Sequence, residues 1–150
     1  MTRTIVLDSG PLGMICHPNP RGESRLCQAW LQTVASHGNR IVIPEITDYE
    51  VRRELIRAQR SKAIGILNDL CVRHSFFALD TPQMILAAQL WAQVRQLGLP
   101  TASPDSLDAD AILAAQALSL NDPNVVVATS NPGHLSRFVT AGLWQNIFIS

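Results

Sequence analysis

Short apolar runs alternate along this chain with longer stretches in which apolar residues recur every three or four positions. Ile5-Val6-Leu7, Ile41-Val42-Ile43 and Val125-Val126-Val127-Ala128 are uninterrupted, the pattern of strands buried on both faces. They predict strands over Arg3 to Leu7, Arg40 to Pro44 and Asn124 to Thr129, with a further strand over Ser75 to Leu79 and a last one over Gln145 to Ile149. Between them, Leu26, Trp30, Leu31 and Val34 form a helical stripe over Glu23 to Ser36, ended by Gly38-Asn39. Val51, Leu55 and Ala58 form another over Thr47 to Lys62, with Arg53, Arg57 and Arg60 along a different face and a second helical segment over Ser61 to Leu70. Thr81 is the expected cap of a helix with Pro82 at its first position, running to Leu97 and closed by Gly98. After a loop from Leu99 to Leu107, a helix rich in alanine and leucine runs to about Asn121, and a short helix covers Leu135 to Ala141.

Alternating strand and helix favours a mostly parallel sheet. The expectation is one α/β domain over residues 1–150, in three layers, with a central sheet of about five strands and helices on both faces.

Composition narrows the function classes. Formal net charge is zero, so no global field draws the chain to nucleic acid or membrane, and a polyanion would need a local patch. Eleven of the 12 basic residues are arginine, the better side chain for bidentate phosphate contact; Lys62 is the one lysine. Cys16, Cys27 and Cys71 have neither zinc-ligand nor CxxC spacing, which predicts reduced thiols. With no secretory apolar segment before Asp8 and no run of membrane-spanning length, a cytoplasmic protein with no membrane association is expected.

Three carboxylates stand at the rims of apolar elements with no lysine near them. Asp8 follows the first strand, Glu50 opens the helix after Ile41-Val42-Ile43-Pro44, and Asp110 lies at the start of the apolar run Ala111-Ile112-Leu113-Ala114-Ala115-Gln116-Ala117. Buried carboxylates are costly without a positive partner, and three together read as a divalent-metal site. In parallel sheets ligands bind beyond the carboxyl ends of strands. If the first strand neighbours Val125–Thr129, Asp8 and Asn131 share one crevice.

Each acid has a plainer reading. Asp8 before Ser9-Gly10-Pro11 suits a turn. Thr47-Asp48-Tyr49-Glu50 fits a capping box. Asp105, Asp108 and Asp110 near a helix start favour the macrodipole by about 0.3–1 kcal/mol each. That accounts well for Asp105 and Asp108, and poorly for Asp110 amid apolar neighbours. Arg53, Arg57 and Arg60 suit either an RNA backbone or a solvated face paired with Glu54.

Four segments in order also resemble a family. Ile5-Val6-Leu7-Asp8-Ser9-Gly10-Pro11-Leu12 resembles the opening of PIN domains, the metal-dependent ribonuclease fold of VapC-type toxins. Ile43-Pro44-Glu45-Ile46-Thr47-Asp48-Tyr49-Glu50-Val51-Arg52-Arg53-Glu54-Leu55 resembles their second motif, Asp110-Ala111-Ile112-Leu113-Ala114-Ala115-Gln116-Ala117-Leu118 their third, and Val127-Ala128-Thr129-Ser130-Asn131-Pro132-Gly133-His134-Leu135 their fourth. The resemblance implies an endoribonuclease in which Asp8, Glu50 and Asp110 hold Mg²⁺ or Mn²⁺, with Asn131 as an auxiliary oxygen ligand. It also implies a cognate antitoxin protein and a homodimer. The fourth motif departs from the pattern, because many members carry an aspartate where Asn131 or His134 stands here. That departure motivates the alternative: a PIN-like module with a degraded metal site that binds protein or RNA without cleaving it. Two other metal-dependent α/β classes are excluded. A receiver domain needs a lysine at the end of its last sheet strand, and a haloacid-dehalogenase phosphatase needs an acid where Gly10 stands.

Overall fold

The computed structural model describes residues 2–98 and 104–147, and only the backbone of 104–106. Five parallel strands form the central sheet: β1 (Thr4–Leu7), β2 (Arg40–Pro44), β3 (Ser75–Phe77), β4 (Val125–Thr129) and β5 (Ala141–Leu143), in the order β3-β2-β1-β4-β5. Six helices connect them: α1 (Ser9–Ile15), α2 (Glu23–Ser36), α3 (Glu45–Arg57), α4 (Ser61–Arg73), α5 (Thr81–Gln96) and α6 (Pro104–Ser119).

Alternation along the strands divides the core. Ile5, Leu7, Ile41, Ile43, Val126 and Ala128 face α1 to α4, where Leu12, Leu31, Val34, Val51 and Leu67 pack on them. Val6, Val42 and Val127 face the opposite way, against Leu113, Ala114 and Ala117 of α6 together with Ile46, Leu135 and Val139. The result is a three-layer α/β fold. β1, buried along its whole length, is the central strand.

The sheet order has a consequence for function. β1 pairs with β4, with Ile5 opposite Val126 and Leu7 opposite Ala128. From β1 the chain builds outward through β2 and β3, then crosses back to place β4 and β5 on the other side. Strand order therefore reverses between β1 and β4, and a crevice opens at their carboxyl ends.

Several expected boundaries move. α3 begins at Glu45 with Pro44 as its N-cap, so Thr47 lies inside the helix and no capping box forms. Glu50 is consequently the sixth residue of α3 rather than its opening. The expected helix through Lys62 ends at Arg57, because the chain turns at Gln59, whose φ of 56° is left-handed. α6 starts at Pro104, so Asp110 sits nearly two turns in, beyond the reach of a helix-end dipole. Asp80, not Thr81, caps α5, accepting from Gln83 N–H at 2.9 Å. β3 stops at Phe77, and the segment over Leu135 to Ala141 is a 3-10 turn, Leu135–Arg137, leading into β5. β5 replaces the strand expected over Gln145 to Ile149: Trp144–Asn146 is a 3-10 turn, and residues 148–150 lie outside the described ones. The side chain of Asp105 and most of the expected 99–107 loop also lie outside them.

All three cysteines are free. Burial pushes the thiols of Cys16 and Cys27 up to about 12. Among the described residues no helix is long and apolar enough to cross a membrane.

Candidate functional site

Asp8 leaves β1 as the N-cap of α1, and both carboxylate oxygens are held. Oδ1 accepts from Ser9 N–H at 2.7 Å, and Oδ2 accepts from the Thr129 hydroxyl at 2.8 Å. Thr129 ends β4, is buried, and its hydroxyl accepts in turn from Asn131 N–H at 3.1 Å. The turn reading of Asp8 is thus correct locally, but one of its oxygens is tied to the neighbouring strand. Gly10, in the first turn of α1, lies against Ser130 after β4: a Cβ there would stand 2.5 Å from Ser130 Oγ and 3.1 Å from its Cβ.

Asp8, Ser9, Gly10, Asp110, Thr129, Ser130, Asn131 and His134 line one cleft of about 280 Å³. Three of the four expected metal-site residues therefore share it. Glu50 is not one of its walls, yet it is close enough to couple electrostatically. Burial lifts its carboxyl from 4.5 to about 7; Asp8 adds to the shift, Arg53 opposes it, and Asp110 contributes further. Burial, with Asp8 second, lifts Asp110 from 3.8 to about 6. Shifts from desolvation and like charge mark acids held together against their own repulsion.

Asn131 is exposed, and its Oδ1 accepts from Gly133 N–H at 3.2 Å, so the carbonyl is turned into its own loop. His134 starts the 3-10 turn without a side-chain cap, and its Nδ1 is buried with no hydrogen-bond partner. Asp108, two residues from Asp110, is exposed on a different side of α6. Among the described residues no three His, Cys, Asp or Glu side chains converge on a single ion position as they stand.

The arginines do not form one row. Arg53 packs over the Tyr49 ring, 5.1 Å from its centroid, and is the cation felt by Glu50. Arg57 pairs with Glu54 at 3.0 Å, both side chains exposed, as the solvated-face reading expects. Arg60 lies past the end of α3, on a separate cavity of about 600 Å³ shared with His17 and Lys62. The sequence pattern assigns no role to Thr129 or Gln116; the signal for Gln116 is a polar residue in an apolar run.

No protein-family model and no curated protein sequence matches the chain. Solved structures do. VapBC2 from Rickettsia felis, bound to a DNA fragment from their promoter, superposes with a TM-score of 0.72 at 16% identity, over 94% of this chain and 98% of that one. FitAcB from Neisseria gonorrhoeae gives 0.69 at 20% identity over 96% and 100%. VapBC-1 from nontypeable Haemophilus influenzae gives 0.69 at 18% over 95% and 99%. At such identities the likeness is one of fold, and it extends over nearly the whole of each chain.

Proposed function

We propose that this chain is a Mg²⁺- or Mn²⁺-dependent endoribonuclease, the toxin of a type II toxin–antitoxin pair. The observation that carries the reading is the electrostatic coupling of Asp8, Glu50 and Asp110. Asp8 and Asp110 share the cleft at the β1/β4 switch point, and Glu50, from α3, is shifted by both, in a fold shared with VapBC and FitAcB structures. At Glu50 the charge of Asp8 and Asp110 is opposed by Arg53. The donor set is all oxygen, which suits a hard divalent cation. Asp8, Glu50 and Asp110 would hold the ion, with Asn131 joining once its loop turns outward. When bound, such an ion acidifies water and stabilises charge developing on a phosphoryl group.

The protein's own contributions follow from the geometry. Thr129 and Ser9 fix the Asp8 carboxylate, so its orientation costs nothing at the moment of binding. On this reading Arg53, beside Glu50, would meet a phosphate of the RNA backbone, with Arg57 and Arg60 farther along the chain. A cognate antitoxin, a homodimer and a cytoplasmic setting belong to the same reading.

A second reading, a non-catalytic PIN-like module that binds protein or RNA, is favoured by Asn131, whose carbonyl is spent on Gly133, and by the lack of convergence noted above. Calorimetric titration with Mn²⁺, comparing wild type with Asp110→Asn and confirming both folds by circular dichroism, separates the two. Binding lost in the variant, together with metal-dependent cleavage of structured RNA by wild type alone, supports the ribonuclease. No binding by wild type at millimolar Mn²⁺ supports the module.

A further inference from the structure

α3, the helix that carries Glu50, begins without a local cap. Its N-cap residue is Pro44, which makes no side-chain hydrogen bond, and the Thr47 hydroxyl is buried with no partner. The first turn of a helix has N–H groups with no acceptor inside the helix. One of them, Ile46 N–H, donates at 3.1 Å to Oε1 of Gln116, a side chain with no exposed surface on α6. The amide nitrogen of Gln116 donates to Phe77 O at 2.9 Å, at the end of β3, and to Gln83 Oε1 at 3.0 Å, in the first turn of α5.

Both N–H donors of the amide and its oxygen are thereby used. A buried amide is costly unless bonded in this way, and Ala or Leu fills the neighbouring α6 positions at no such cost. Gln116 follows Asp110 by six residues on α6, and Ile46 precedes Glu50 by four, one turn, on α3. One side chain therefore joins the two helices that carry two of the three acids. A slip of α3 by one residue would break the Ile46–Gln116 bond and leave a buried amide oxygen without its donor.

We infer that Gln116 is a positioning residue for the acidic site: as a remote cap of α3, it sets where Glu50 stands relative to Asp110. What the site does rests on the ribonuclease reading; the link between the helices does not.

Three variants test this: Gln116→Met, Gln83→Met and the double variant Gln83→Met/Gln116→Met. Each is followed by thermal unfolding, by Mn²⁺ calorimetry, and by carbon-13 NMR titration of the Glu50 carboxyl in metal-free protein. Gln116→Met is expected to weaken Mn²⁺ binding about tenfold or more and to shift the Glu50 titration. Gln83→Met keeps the Ile46–Gln116 bond and should lose thermal stability with Mn²⁺ affinity within about twofold of wild type. The double variant replaces both amides and should recover thermal stability over Gln116→Met without recovering affinity; it carries the comparison if Gln116→Met does not fold. Affinity that follows the unfolding midpoint across the set overturns the inference, as does a Gln116→Met protein with wild-type affinity and Glu50 titration. Should wild type bind no Mn²⁺, the ribonuclease reading fails and the Glu50 titration alone decides the positioning role. Unchanged in the methionine variants, it refutes that role; shifted in Gln116→Met and not in Gln83→Met, it supports it.

Discussion

Neutralising Asp110 should stabilise the metal-free protein while disabling its site. The native Asp110 carboxyl is raised from 3.8 to about 6. At about 1.4 kcal/mol per pKa unit, the full shift corresponds to about 3 kcal/mol against the folded state once the group is ionised. The side chain is only partly buried, and solvent screening reduces this to about 1–2 kcal/mol. The sign follows from proton uptake. Between pH 3.8 and about 6 the native state binds more protons at Asp110 than the unfolded chain, and Glu50 behaves alike between 4.5 and about 7. Stability of the metal-free protein should therefore fall as pH rises through this window. Asp110→Asn carries no charge at that position and should exceed wild type by about 1–2 kcal/mol at pH 8, the difference closing towards pH 4. Urea unfolding at both pH values, with chelator present, measures the gap. Saturating Mn²⁺ at pH 8 should reverse the order, because only wild type gains binding free energy. An Asp110→Asn protein no more stable than wild type at pH 8, or a gap that does not close on acidification, would refute the reasoning.

Two further outcomes test how the site is built. Thr129→Val keeps shape but removes the donor to Asp8 Oδ2; a bond to a charged group of this kind should cost about 1.5–3 kcal/mol, read by thermal unfolding, and Mn²⁺ binding should weaken with it. A stable variant with unchanged binding would show that Thr129 does not orient Asp8. Gly10→Ala would bring a Cβ to 2.5 Å from Ser130 Oγ and 3.1 Å from its Cβ; because the exposed hydroxyl can turn away, the cost in urea unfolding should be no more than about 1 kcal/mol. Ser130→Gly in the same protein should restore most of the loss, and failure of that rescue would place the strain elsewhere.

Local pattern made much of the fold legible. α2 runs from Glu23 to Ser36 and β2 from Arg40 to Pro44, as their stripes and turn residues require. β1 and β4 are strands because unbroken branched apolar runs suit burial on both faces. The errors cluster where the deciding partner is distant. Thr47 has the local chemistry of a cap, but α3 starts two residues earlier because its acceptor is Gln116, 70 residues downstream. The turn at Gln59 interrupts a continuous helical pattern through a backbone conformation that no residue type there announces. Asp110 drew notice as a charge among apolar residues, yet its distance from the start of α6 became visible only with the helix in place.

Chain pattern alone was enough to read the alternation of strand and helix, the three-layer class, and three acids at the rims of apolar elements as site candidates. Those are properties of neighbours along the chain, governed by periodicity and by the cost of burying charge. Tertiary structure decided that β1 lies beside β4, and so that Asp8 meets Thr129 and shares a cleft with Asp110 and Asn131. It also turned the Asn131 carbonyl into its own loop and scattered the three arginines. Strand order and long-range hydrogen bonds depend on which segments collapse together, and that information is held by no single stretch of residues.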